Sequence, residues 1–137
     1  MPTPKPAATP NGQTATPKNY EQANLAASDL SGAELPKANL RHATLKETNL
    51  ANANLAGADL TAANLGAADL HDAILADATL EQADLRQADL RGADVRGATL
   101  TDAKMDGAKL DGTKLDGAHG VPPDLLPPPE PNESAAG

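Results

Sequence analysis

Cysteine, tryptophan and phenylalanine are absent from these 137 residues, and Tyr20 is the single tyrosine. Without cysteine there is no disulfide, no thiolate metal site and no thiol nucleophile. Without a set of aromatic rings there is no platform on which nucleic-acid bases could stack. Long apolar runs are missing too: none approaches the ~18 residues a membrane-spanning helix needs, so no membrane insertion is expected. The opening Met1-Pro2-Thr3-Pro4-Lys5-Pro6 leads into no hydrophobic segment, which excludes a secretory signal there and makes a cytoplasmic location the expectation. Basic residues are scarce, 11 Lys and Arg against 19 Asp and Glu, for a net charge of −8. Such a balance argues against direct nucleic-acid binding through phosphate neutralisation.

Proline is nearly missing from the middle of the chain, where Pro36 stands alone, and is crowded at both ends. Residues 1–17 carry Pro2, Pro4, Pro6, Pro10 and Pro17 among small polar residues and read as a disordered tail. Residues 123–137 read likewise as a Pro-rich C-terminal tail. The body, with its end caps, is expected over 18–122.

What the body has is a repeat. Leu stands at every fifth position from Leu25 to Leu115 except at Val95 and Met105, which keep the place apolar. Two positions earlier sits a small residue, Ala almost throughout, with Ser28, Thr48 and Thr113 as exceptions. Asn or Asp mostly lies between, as in Ala53-Asn54-Leu55 and Ala58-Asp59-Leu60. From Ala23 to Gly117 the 95 residues make 19 such units.

Neither regular element can use a strict period of five. On a helix of ~3.6 residues per turn the leucines would wander around every face. On a strand of period two they would alternate between its two sides. All of them can face one interior only if the chain bends once per unit, so each pentapeptide is a short side plus a corner, stacked as a solenoid. Gly at 32, 57, 92, 97, 107, 112 and 117, two places after the apolar residue, suits a corner with φ > 0. Asn and Asp before the apolar residue suit side-chain bonds to the backbone at a bend.

The number of sides per coil has its own signal. Asp84, Asp89 and Asp94 precede the apolar residue and Arg86, Arg91 and Arg96 follow it; Lys104, Lys109 and Lys114 with Asp106, Asp111 and Asp116 invert the order. An offset of 20 residues matches all six opposite charges, which predicts four units per coil and the pairs Arg86–Asp106, Arg91–Asp111 and Arg96–Asp116 between adjacent coils.

A tandem A-(D/N)-L-x-x pattern resembles the pentapeptide-repeat family over residues 23–117. The resemblance implies an all-β fold, the right-handed quadrilateral β-helix. Nineteen units then make about 4.75 coils, a rod roughly 23 Å long at ~4.8 Å per coil. Tyr20 is expected to lie over one end. Gly120, Pro122 and Pro123 would stop the other, with Leu125 or Leu126 folding across it.

Chemistry finds little foothold. The series Asp106-Gly107, Asp111-Gly112, Asp116-Gly117 lacks the alternating acids and terminal Glu of a calcium loop. His42, His71 and His119 share no column of a 20-residue coil, so no metal ligand set and no cofactor are expected. No nucleophile stands beside a base, and a Leu-filled core leaves no substrate cavity, which points away from an enzyme.

The surface is more telling. Between Lys46 and Arg86 there is no Lys or Arg, while Asp59, Asp69, Asp72, Asp77 and Glu81 lie within that span. On the coil they make an acidic belt, a candidate docking surface for an unidentified protein partner. Ile74, outward by the repeat, could add an apolar contact beside Ala56 and Ala76.

The first functional reading is therefore a non-catalytic interaction module or scaffold. The alternative is a DNA mimic acting on a DNA-processing enzyme, since some pentapeptide-repeat relatives protect gyrase by presenting an acidic rod. Those relatives use Phe at many central positions, and this chain has none. A binder of ordered water would need unbroken ranks of Thr, and Asp59 and Glu81 interrupt Thr61, Thr79, Thr99 and Thr101. The resemblance also makes a bacterial source the expectation.

Overall fold

Each unit begins with its corner. The amide of the small residue donates to the carbonyl of the preceding central residue, from Ala23 to Tyr20 through Ala118 to Leu115, and closes a four-residue turn. At all twenty such corners the second corner residue has positive φ, from Gln22 to Gly117. Positive φ at that position alone, with the i to i+3 bond, makes these type II turns. The Asn or Asp before the central residue closes the corner from outside. Its Oδ1 accepts the amide two residues on, as in Asn39 to Arg41, Asp59 to Thr61 and Asp89 to Arg91, each at 3.1 Å.

The structure, a computed structural model, describes residues 18–125; the expected tail 1–17 and residues 126–137, Leu126 included, lie outside them. Within the described residues there is no long strand. Single-residue parallel bridges join each residue before a central position to the one 20 later, from Asn19–Asn39 to Thr99–His119. Four pentapeptides therefore make one coil. The ladder takes in Asn19 and His119, one rung beyond each end of the 23–117 repeat. The central residue and the second corner residue donate to the following coil, as in Leu70 to Asp89 (2.7 Å) and Asp72 to Arg91 (3.0 Å). The residue before the centre donates back, as in Asp69 to Thr48 (3.0 Å).

Because every unit turns the same way, all central residues meet in one interior. The leucines from Leu25 to Leu100, with Val95 and Met105, are buried, and so are the alanines from Ala33 to Ala98 two places before them. Thr48 occupies an inward place and satisfies its hydroxyl on the Leu25 carbonyl at 2.8 Å. Tyr20 packs on the core at one end. At the other, Val121 and Leu125 pack against it, Leu125 carried by the short 3-10 helix Pro123–Leu125.

Candidate functional site

The corners and ladder columns decide where each belt residue stands. Asp59 lies in the column Asn39–Asp59–Thr79. Its Oδ1 accepts the Thr61 amide at 3.1 Å and the Thr61 hydroxyl at 2.6 Å, and its Oδ2 meets Arg41 Nη1 at 3.2 Å. Partial burial pushes this carboxyl upward, but the Thr61 and Arg41 bonds outweigh it and hold Asp59 below the usual carboxylate range. Glu81 is exposed at the corner after Leu80, in the column of Arg41 and Thr61.

Asp69 lies in the column Asn49–Asp69–Asp89. It accepts the His71 amide at 3.1 Å and contacts His71 Nδ1 at 2.6 Å. The bond to Asp69 raises the His71 pKa against the opposing effect of burial, with Asp69, Asp72 and Asp89 adding as negative neighbours. Asp72 occupies the positive-φ corner place just beyond (φ 59°). Its carboxylate lies where a Cβ on Gly92 would stand, in space left by the missing side chain of residue 92. Asp77 sits at the next corner (φ 60°), leaning in the same way over Gly97.

With 20 residues per coil, Leu70 is half a coil from both Leu60 and Leu80. Asp69 and Asp72 therefore stand on one side of the rod, Asp59 and Glu81 on the opposite side, and Asp77 at a corner between them. A flat surface cannot touch all five at once. Among the described residues, Asp72, Asp77 and Glu81 make no ion pair, whereas Asp59 is engaged by Arg41 and Asp69 by His71. Ile74 is exposed in the column Asn54–Ile74–Asp94, and Ala56 and Ala76 are half-buried.

Two expectations need correction or extension. The offset of 20 between opposite charges is the observed register, but the arginines do not bond the acids of the next coil. Arg86, Arg91 and Arg96 instead grip Asp84, Asp89 and Asp94 of their own units, with Nε to Oδ1 at 2.8–2.9 Å and Nη2 to Oδ2 at 2.7 Å. The local partner wins because its Oδ1 already holds the arginine's own amide, which sets the guanidinium alongside the carboxylate. Asp106, Asp111 and Asp116 reach the arginines only through their field. The histidines are dispersed as expected, yet Asp69, His71 and Asp89 converge, with one donor atom from each lying within 4.8 Å of the others. The spacing of the histidines alone does not reveal this. The signal was the Asp two residues before His71 together with the Asp 20 residues after that one.

Among the described residues no helix is long and apolar enough to cross a membrane. No curated protein matches the chain. A family model described as pentapeptide repeats matches it in eight copies, over residues 23–61, 53–92, 63–102 and 83–119. Among solved structures, a pentapeptide repeat protein from the Arabidopsis thaliana thylakoid lumen is 28% identical, with a TM-score of 0.58, covering 74% of this chain and 70% of its own. A pentapeptide repeat protein from Nostoc PCC 7120 is 44% identical, with a TM-score of 0.56. That match takes in 56% of this chain and 64% of the Nostoc chain, just under two thirds of it. These likenesses make the solenoid a right-handed β-helix. A square tube of type II corners around Leu and Ala, one unit every five residues, and a family match over most of its length lead to one conclusion: the chain belongs to the pentapeptide-repeat family.

Proposed function

We propose that this protein is a non-catalytic interaction module, a rigid rod of about five coils whose outer surface docks a protein partner bearing basic residues. The interior carries this reading. From Leu25 to Leu100 the core positions are filled by side chains with at most 3% exposure, apart from Ser28 at 7%. The tube itself has no space for a substrate, and recognition falls to the outside. The belt acids Asp59, Asp69, Asp72, Asp77 and Glu81 are the proposed contact residues, and because they lie on two sides of the rod the partner must reach around it rather than abut one face. Asp72, Asp77 and Glu81 supply the unneutralised charge. The expected location is the cytoplasm, although the Arabidopsis relative comes from the thylakoid lumen.

Mimicry of duplex DNA toward an enzyme such as gyrase is the weaker alternative. A mimic needs carboxylates arrayed where phosphates would run, and here the belt divides between opposite sides. The neighbouring Asp84, Asp89 and Asp94 are each covered by an arginine.

Two assays separate the readings. Affinity capture with the wild type and with Asp59→Asn/Asp69→Asn/Asp72→Asn/Asp77→Asn/Glu81→Gln run in parallel should retain a partner that the neutralised variant loses. Equal capture by both would make the belt a solvated face and nothing more. In a supercoiling assay purified gyrase should be unaffected by the wild type, whereas inhibition abolished in the neutralised variant would favour the mimic.

A further inference from the structure

We propose that Asp69, His71 and Asp89 form a binding site for a divalent cation of the Zn2+, Ni2+ or Cu2+ type, at the Leu70 side of the rod. The ladder singles this place out. Among the seventeen bridges of the described residues, Asp69–Asp89 is the one that stacks an acid directly on an acid; the other acids face amides, hydroxyls, Ile74 or lysines. Like charges ~4.8 Å apart on neighbouring rungs repel, and the backbone holds them there regardless. The repeat makes a second distinction. Asp84, Asp89 and Asp94 are each followed two residues on by an arginine, a fixed cation with no ligand atom. At the equivalent place after Asp69 stands His71, whose imidazole is a metal ligand.

The geometry fits a shared ion. One donor atom from each residue lies within 4.8 Å of the other two. One nitrogen with two carboxylate oxygens suits a borderline cation rather than Ca2+, which takes oxygen alone. All three residues are half-buried, beside an open cleft lined by His71, Asp72, Arg91 and Gly92, so an ion can enter and water can complete its shell. Arg91 competes for Asp89, which it grips at 2.8 and 2.7 Å. Asp89 Oδ1 is taken by the Arg91 amide and Nε, and Asp69 Oδ1 by the His71 amide and Nδ1, but each Oδ2 keeps a lone pair, so the guanidinium can remain as an outer partner that orients the ligand. Asp72, leaning over Gly92 beside the cluster, adds negative field.

The test is calorimetric titration of the full chain with Zn2+ alone, in buffer free of chelators. One ion should bind per chain, with affinity falling at least ~10-fold in His71→Ala and in Asp89→Asn and unchanged in His42→Ala. In the wild type, Zn2+ should shift the ring resonances of His71 and leave those of His42 and His119 in place, a readout that needs no variant to fold. Absence of binding, equal affinity in His71→Ala, or a uniform shift of all three histidines would overturn the site.

Discussion

Gln22, Ala27, Lys37 and ten further non-glycine residues stand at φ between 56° and 65°. A lone L-residue there costs about 1–2 kcal/mol. The corners hold because consecutive amides are fixed in two ways: that of the second corner residue donates to the next coil, as in Asp72 to Arg91, and that of the small residue closes the turn, as in Ala73 to Leu70. Glycine is therefore a requirement only where space also runs out. A Cβ on Gly120 (φ 84°) would come within 2.5 Å of the Thr101 amide nitrogen, while one on Gly32 (φ 70°) would meet nothing within 4 Å. Gly32→Ala should cost about 1 kcal/mol and Gly120→Ala clearly more, read as the loss of stability in thermal or urea unfolding. Equal losses would mean the end of the rod yields where it is drawn tight.

The charged corners predict an acid response. Hydrogen bonds from Arg86 and Arg96 outweigh the burial that opposes them and hold Asp84 and Asp94 at about 2, against 3.8 for an ordinary Asp. A carboxyl depressed by folding stabilises above its unfolded value and loses that contribution as pH falls through its folded one. Wild type should therefore melt above Arg86→Gln/Arg96→Gln at pH 5 to 7, with the gap closing between about pH 4 and 2. A gap that persists at pH 2 would mean the arginines stabilise by packing along the rod.

At the scale of the coil, the inward small position admits polar residues only on terms set by the neighbouring coil. Thr48 is fully buried, and its hydroxyl reaches the Leu25 carbonyl 23 residues back; Thr113 does the same with Leu90 at 2.6 Å. The buried Ser28 hydroxyl has no hydrogen-bond partner. Thr48→Ala should destabilise by about 2 kcal/mol, the sum of a hydrogen bond and a buried methyl. Ser28→Ala, which restores the residue usual at that place, should be neutral or stabilising. Urea midpoints of the two variants measure the contrast, and an equal loss in both would show that fill rather than hydrogen bonding governs the position.

Over the whole molecule, each coil touches only the coils before and after it, so length and register can be separated. Removing residues 62–81 takes out one full coil and leaves every column intact. That variant should give a far-UV spectrum like wild type and a lower melting temperature, since one nearest-neighbour interface is lost. Removing residues 62–64 alone breaks the five-residue phase, puts His71, Glu81, Arg86, Arg91 and Arg96 into inward places with Ala where Leu should stand, and should abolish the cooperative transition. A shortened chain that unfolds, or a phase-broken chain that melts like wild type, would contradict a solenoid built by stacking.

Much of this architecture is legible in the sequence because the repeat reports on itself. Leu every five residues demands one bend per unit, Ala two places earlier demands a narrow interior, and six opposite charges 20 residues apart state the length of a coil. What the sequence could not decide is which of several partners a side chain takes once the coil has brought them within reach. Arg91 has Asp89 in its own unit and Asp111 in the next coil, and the choice falls to Asp89 because the corner has already fixed that carboxylate beside the arginine's amide. Asp59 and Asp69 are ten residues apart and look like members of one belt, yet half a coil places them on opposite sides. Asp69, His71 and Asp89 span 21 positions and meet. The period of five belongs to the chain; the period of twenty becomes proximity only when the coil closes.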